Sequence, residues 1–241
     1  MTVVEHSPAV GRRQLFGIAL PAVAGVALSA CGSPQREAGQ SGAPSGEEVP
    51  VTPPEDLMRE HGVLKRILLV YREVIRRVLA GDQFPAQALN ASAGIIRGFI
   101  EDYHEHLEEH YVFPKLEQAD KLTDLTTVLR TQHQRGRVLT DRVLAATGGA
   151  GTLDQSAQSA LVQDMSAFVR MYEPHEARED TVVFPALREV VPAKEFRDLA
   201  EIFEDEEHRR FGPAGFEGMV DKVADIEKSL GIYDLSQFTA T

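Results

Sequence analysis

Apolar residues recur along this chain at alternating steps of three and four, the spacing that keeps one face of a helix apolar. Between Glu55 and Ala80 the stripe is Leu57, His61, Leu64, Leu68, Tyr71, Ile75 and Val78. From about Pro85 to Leu116 a second face carries Ile96, Ile100, His104, Glu108 and Tyr111. A third helix, Leu122 to Ala146, lines up Leu125, Leu129, His133, Gly136, Thr140 and Val143. A fourth, Asp154 to Val191, presents Leu161, Phe168, Tyr172, His175, Glu179 and Val182, with Pro174 predicting a kink. Gly81-Asp82 and Gly148-Gly149-Ala150-Gly151 separate helices within this set, the second as a flexible turn. Two further helical patterns, Lys194 to Phe211 and Phe216 to Leu230, flank Gly212-Pro213. Every one of the first four stripes contains a histidine, and two contain a glutamate as well.

Those polar residues on apolar stripes form a repeat. His104-Glu-His-Leu-Glu108-Glu-His-Tyr-Val-Phe113-Pro114 returns as His175-Glu-Ala-Arg-Glu179-Asp-Thr-Val-Val-Phe184-Pro185, an offset of 175 minus 104, or 71 residues. His61 and His133 precede the two copies at an offset of 133 minus 61, or 72. The chain therefore holds two tandem units, each a single histidine followed by His-x3-Glu. His and Glu four apart differ by only about 40° around a helix axis, so both side chains reach one point beside it. Four helices would bring four imidazoles and two carboxylates into one core. A buried carboxylate demands a cation or a strong donor, and mixed nitrogen and oxygen ligands suit iron, with manganese and zinc as alternatives. Glu109 and Asp180 stand five after the histidines of the two copies.

On these motifs, residues 55 to 190 resemble the hemerythrin-like family, whose members carry the HHE cation-binding domain. The resemblance implies an all-α, up-down four-helix bundle over 55–191; the two further helical patterns are expected to pack on it over 192–231 as additional C-terminal helices, followed by a tail over 232–241. It implies a non-heme site of two irons with His61, His104, Glu108, His133, His175 and Glu179 as ligands; the family's oxygen carriers take one bridging carboxylate from the position five after a histidine, which makes Glu109 and Asp180 candidates too, with Asp180 able to replace or supplement Glu179. The third helix of the family's oxygen carriers bears a second histidine four residues after the first. Here that position is Arg137, which points away from oxygen carriage and toward a more open or more reactive site.

The remaining regions concern location. Arg12-Arg13-Gln14-Leu15-Phe16 precedes an apolar run from Ile18 to Ala30, and the two together resemble a twin-arginine export signal. Leu28-Ser29-Ala30-Cys31 resembles a bacterial lipobox. A signal peptide over 1–31, lipidation of Cys31 and attachment to the cell-envelope membrane are the expectation. Cys31 is the only cysteine, so no intrachain disulfide can form. Residues 32–54 are rich in Gly, Ser, Pro, Gln and Glu and read as a disordered tether. With 25 Lys and Arg against 37 Asp and Glu, the net charge is −12, and no basic stripe appears, which excludes nucleic acid as a partner.

Two rival motifs fail against the repeat. His106-Leu-Glu-Glu109-His110 fits the His-x-x-Glu-His of a zinc-protease class, but the second copy has Ala177 and Thr181 at the matching places. Glu101-x-x-His104 fits the Glu-x-x-His of ferritin-like diiron proteins, but its counterpart is Tyr172. Three functional classes stay open for the six-residue set. It could bind dioxygen, a related small molecule or iron itself, it could be an enzyme acting on peroxide, nitric oxide or ferrous iron, or it could be a metal-stabilised structural bundle. Phe113-Pro114 and Phe184-Pro185 are read as packing, and Tyr111 and Tyr172 as packing or redox residues.

Overall fold

Thr52 caps the first of the described helices: its N–H donates to the Glu55 carboxylate at 3.5 Å, and Pro53 occupies the first helical position, where a missing N–H costs nothing. The computed structural model describes residues 51–149 and 153–240. The expected signal peptide, Cys31, most of the expected tether and half of the expected Gly-rich turn lie outside these residues. Pro53 and Pro54, expected at the end of the tether, are instead buried in the first turn of α1, Pro53–Ala80. Gly81 closes that helix with φ +75°, the left-handed cap that glycine adopts without strain.

Helix α2 runs over residues 86–118, and its regular turns alternate with wider π-helical ones at Ile96–His104 and Glu108–Val112. Helix α3 is Thr123–Thr147. Helix α4 covers 155–190, opens on Asp154, whose carboxylate accepts from Ala157 N–H at 2.8 Å, and has its own π-helical turn at Glu179–Val183. It continues through Pro174. Helices α1 to α4 pack as neighbours around the ring, with α1 closing on α4, and short connections make successive helices antiparallel. No strand occurs among the described residues.

The core is a continuous band of aliphatic and aromatic side chains, including Leu57, Leu64, Ile100, Leu129, Val143 and Phe168. Burial of each such side chain contributes about 1.5–3 kcal/mol, which stabilises the bundle on either side of its polar centre. Helices α5, Ala193–Phe211, and α6, Gly215–Leu230, lie on α1 and α2. Arg66 anchors them with two bonds to Glu227, at 2.9 and 2.6 Å, and Phe99 meets the rings of Phe211 and Phe216. A short 3-10 turn, Leu235–Phe238, follows.

Candidate metal centre

Each His-x3-Glu pair ends in the same local distortion. The π-helical turns Glu108–Val112 and Glu179–Val183 both begin at the glutamate, and each is followed by Phe-Pro. Pro114 and Pro185 have no N–H to offer the residue four back, and their rings press on its carbonyl. The helix accommodates them by widening just before, and such π turns recur at functional sites. The phenylalanines cross the bundle to the other unit's single histidine: Phe113 stacks on His133 at 5.8 Å and Phe184 on His61 at 5.6 Å.

The structure brings all six sequence-predicted residues together. His61, His104 and Glu108, all from the first unit, converge as one group, and His133, His175 and Glu179 from the second unit converge as another. None is more than 4% exposed. The two groups meet through the glutamates. Glu108 Oε2 lies 3.6 Å from His104 Nε2 and 3.5 Å from His133 Nε2, while Glu179 Oε2 lies 3.2 Å from His175 Nε2 and 3.4 Å from His61 Nε2. Both carboxylates thus stand between histidines of the two units.

On their outer side the imidazoles are held by four acceptors. His61 Nδ1 donates to Asp180 at 2.7 Å, His104 Nδ1 to Glu60 at 2.8 Å, His133 Nδ1 to Glu109 at 2.9 Å and His175 Nδ1 to Gln132 at 2.9 Å. A carboxylate only accepts, so the proton sits on Nδ1 and the Nε2 lone pair faces the centre. Asp180 and Glu109, expected as candidate ligands, take this outer place. Glu60 and Gln132 are functional residues that sequence reasoning missed. Each stands immediately before the single histidine of its unit, a shared place in the repeat that by itself does not turn them toward His104 and His175.

The interior is electrostatically incomplete as protein alone. His133 Nε2 and His175 Nε2 are 3.1 Å apart with both lone pairs turned inward. His104 Nε2 and all four carboxylate oxygens of Glu108 and Glu179 are buried without a hydrogen-bond partner. Burial pushes Glu108 and Glu179 far above the usual carboxylate range, helped by the charge of Glu179 on Glu108 and by those of Glu105, Asp180 and Glu176 on Glu179. Burial likewise holds His104 and His175 far below the usual imidazole range. Leaving such groups uncompensated costs several kcal/mol apiece, and a bound cation removes that cost. The donor set of four imidazoles and two carboxylates fits a transition metal.

Other sequence candidates lie outside this centre. Glu101 is buried, accepts from Thr140 Oγ1 at 2.6 Å and pairs with Arg97 at 2.7 Å. His106 and His110 stack on one another at 3.9 Å on the outer side of α2 and join no metal-holding group among the described residues. Tyr111 packs against Phe203 of α5. Arg137 pairs with Glu105 at 2.8 Å and Glu109 at 2.9 Å, so it reinforces an outer acceptor. Burial works to raise Glu109, but its bond from His133 and the charge of Arg137 outweigh that and hold it at about 2. Gly136 admits the hydroxyl of Tyr172, which donates to Glu105 at 2.6 Å.

The family model described as the hemerythrin HHE cation binding domain matches residues 52–187, the stretch that holds all six inner residues and their four acceptors. Uncharacterized proteins of Mycobacterium bovis and Mycobacterium tuberculosis are each 70% identical to this chain over 243 residues, covering 99% of it and 95% of their own length. No solved structure matches the chain.

Proposed function

The chain belongs to the hemerythrin HHE cation-binding family, and on that premise we propose that it is a non-heme diiron protein of the cell envelope that binds dioxygen or a related small molecule, or holds iron. The observation that carries the dinuclear reading is the seating of Glu108 and Glu179, each between histidines of both units. Two irons held there would supply redox chemistry toward dioxygen, peroxide or nitric oxide. The chain's own residues do the rest. His61, His104, His133 and His175 present four neutral nitrogens, and the two glutamates offset metal charge. Asp180, Glu60, Glu109 and Gln132 fix the tautomers, and such outer partners tune ligand basicity. Buried Phe113 and Phe184 stack on His133 and His61 and help fix the orientation of those rings.

Metal analysis with an ultraviolet-visible spectrum, before and after dioxygen and then peroxide, tests the reading. The expected result is about two irons per chain, with absorption that responds reversibly. His61→Ala and Glu179→Ala should each lower the metal load, and a full load in both variants would overturn the ligand set. Steady consumption of peroxide would move the protein to the enzyme class. A metal whose removal lowers stability without any change in reactivity would make it a structural bundle.

Export and anchoring rest on Arg12-Arg13 and Cys31. Cys31→Ser should release the protein from the membrane fraction, and undiminished attachment would defeat the lipid anchor.

A further inference from the structure

The two units are near copies in sequence, yet their surroundings differ. A cleft of about 350 Å³ lies between α3 and α4 over the second unit. It runs from Val128, 52% exposed, past Leu125, Leu129 and Val182 to Gln132 and His175 at its floor. The 72- and 71-residue offsets place Asp56, Glu60, Tyr103 and Tyr111 at the corresponding positions of the first unit, where Val128, Gln132, Pro174 and Val182 stand in the second. There α5 covers the surface. Glu207 joins Asp56 and Glu60, the Phe211 ring meets Tyr103 at 5.3 Å and Phe203 meets Tyr111 at 6.0 Å. A centre with internal two-fold character is thus covered on one flank and approached by a cleft on the other.

The same flank carries the one change of charge among the outer acceptors. Glu60 in the first unit is Gln132 in the second, so three histidines are held by carboxylates and His175 by a neutral amide. Charge-assisted hydrogen bonds are about twice as strong as neutral ones, so the bond at the cleft floor is the weakest of the four. Nδ1 of His175 is on Gln132, and its Nε2 lies 3.2 Å from Glu179 and 3.1 Å from His133. One imidazole ring therefore separates the cleft from the centre.

We propose that the α3–α4 cleft is the access route by which a small uncharged molecule of the dioxygen or nitric oxide class reaches the centre, with the Gln132–His175 pair as its gate. Leu125, Val128, Leu129 and Val182 give the cleft an aliphatic wall, with the exposed Arg178 and Pro174 completing its lining, and that wall admits a weakly hydrated neutral molecule at little desolvation cost. Gln132 is a positioning residue in this account, acting through His175. The inference rests on the metal-centre reading above, and its test separates the two.

Crystals of the metal-free protein under xenon pressure give the first arm. Xenon is a neutral apolar probe, and it should lodge beside Leu125, Leu129 and Val182 and be excluded by Val128→Trp. Xenon in the cleft of a protein that takes up no metal would defeat the diiron reading and leave the cleft standing. A cleft that takes no xenon would overturn the route. The second arm is stopped-flow binding of nitric oxide to the ferrous protein. Val128→Trp, and Leu125→Trp as a second plug, should slow association and dissociation by the same factor, about tenfold or more, with metal content and equilibrium affinity unchanged. Gln132→Glu, by strengthening the gate bond, should slow association about tenfold, and Gln132→Ala should speed it. Wild-type rates in both tryptophan variants, with the metal in place, would overturn the proposal.

Discussion

Gly136→Ala sets two physical effects of opposite sign against each other. Gly136 lies within α3, a long helix, where alanine is favoured over glycine by about 1 kcal/mol. Propensity alone predicts a more stable protein. The structure predicts the reverse, because a Cβ at this position would sit 2.0 Å from the Tyr172 hydroxyl oxygen and 2.8 and 2.9 Å from two ring carbons. Tyr172 is 1% exposed and stacked on Phe168 at 4.3 Å, so its ring has no free volume to enter. Moving it breaks the 2.6 Å bond to Glu105, worth about 1.5–3 kcal/mol for a charged acceptor, and adds overpacking strain of about 1–3 kcal/mol. Less the propensity gain, the net loss is roughly 1.5–5 kcal/mol, or about 3–20 °C in Tm for a domain of this size. Denaturation followed by far-ultraviolet circular dichroism measures it, since the chain has no tryptophan to report by fluorescence. Combining the change with Tyr172→Phe removes the closest clashing atom, so the double variant should lose less than the sum of the singles. A Gly136→Ala protein as stable as the parent, or strictly additive losses, would refute the close approach as the reason for glycine.

Two further outcomes follow from the charges around the centre. Glu109→Gln and Asp180→Asn each leave an acceptor for a histidine Nδ1 but remove its charge, and should weaken metal affinity by about 10- to 100-fold in competition with a chelator; undiminished affinity would remove these acids from any tuning role. Glu101 is held at about 7 by burial, eased by its Thr140 bond, against an ordinary 4.5, so between those values the unfolded chain has released a proton that the folded chain keeps. Its contribution makes stability fall with rising pH by about 3 kcal/mol across that window, and Glu101→Gln, which keeps an acceptor for Thr140, should flatten this part of the profile when denaturation is compared at about pH 5 and about pH 8. An unchanged profile would show that Glu101 is already ionised in the folded protein.

What the sequence made legible was whatever it wrote twice. The four stripes, their histidines and the two His-x3-Glu pairs could be read because helical spacing turns sequence offsets into shared faces. What it could not show was which groups cross from one helix to another. Asp180 and Glu109 were visible as acids five after a histidine, but only the packing of α4 on α1 and of α2 on α3 places them on His61 and His133. Glu60 and Gln132 look like ordinary polar residues of helix surfaces until His104 and His175 are seen to turn toward them. The start of α1 was misplaced because Pro53 and Pro54 follow a Pro-rich stretch, although proline is well suited to a first helical turn. The π turns had a local cue in Phe-Pro, which signals a disturbed helix without saying that it widens.

The division of labour between the units has a consequence for how such a protein can be assembled. Each unit brings a whole group of His, His and Glu, then lends its glutamate, its five-later acid and its phenylalanine to the other. The chain is in effect a dimer of helical hairpins made covalent by the short link at residues 119–122. Two polypeptides divided at that link would carry complementary halves of one centre, and a cation bound between them would act as the fastener that selects their correct partnering.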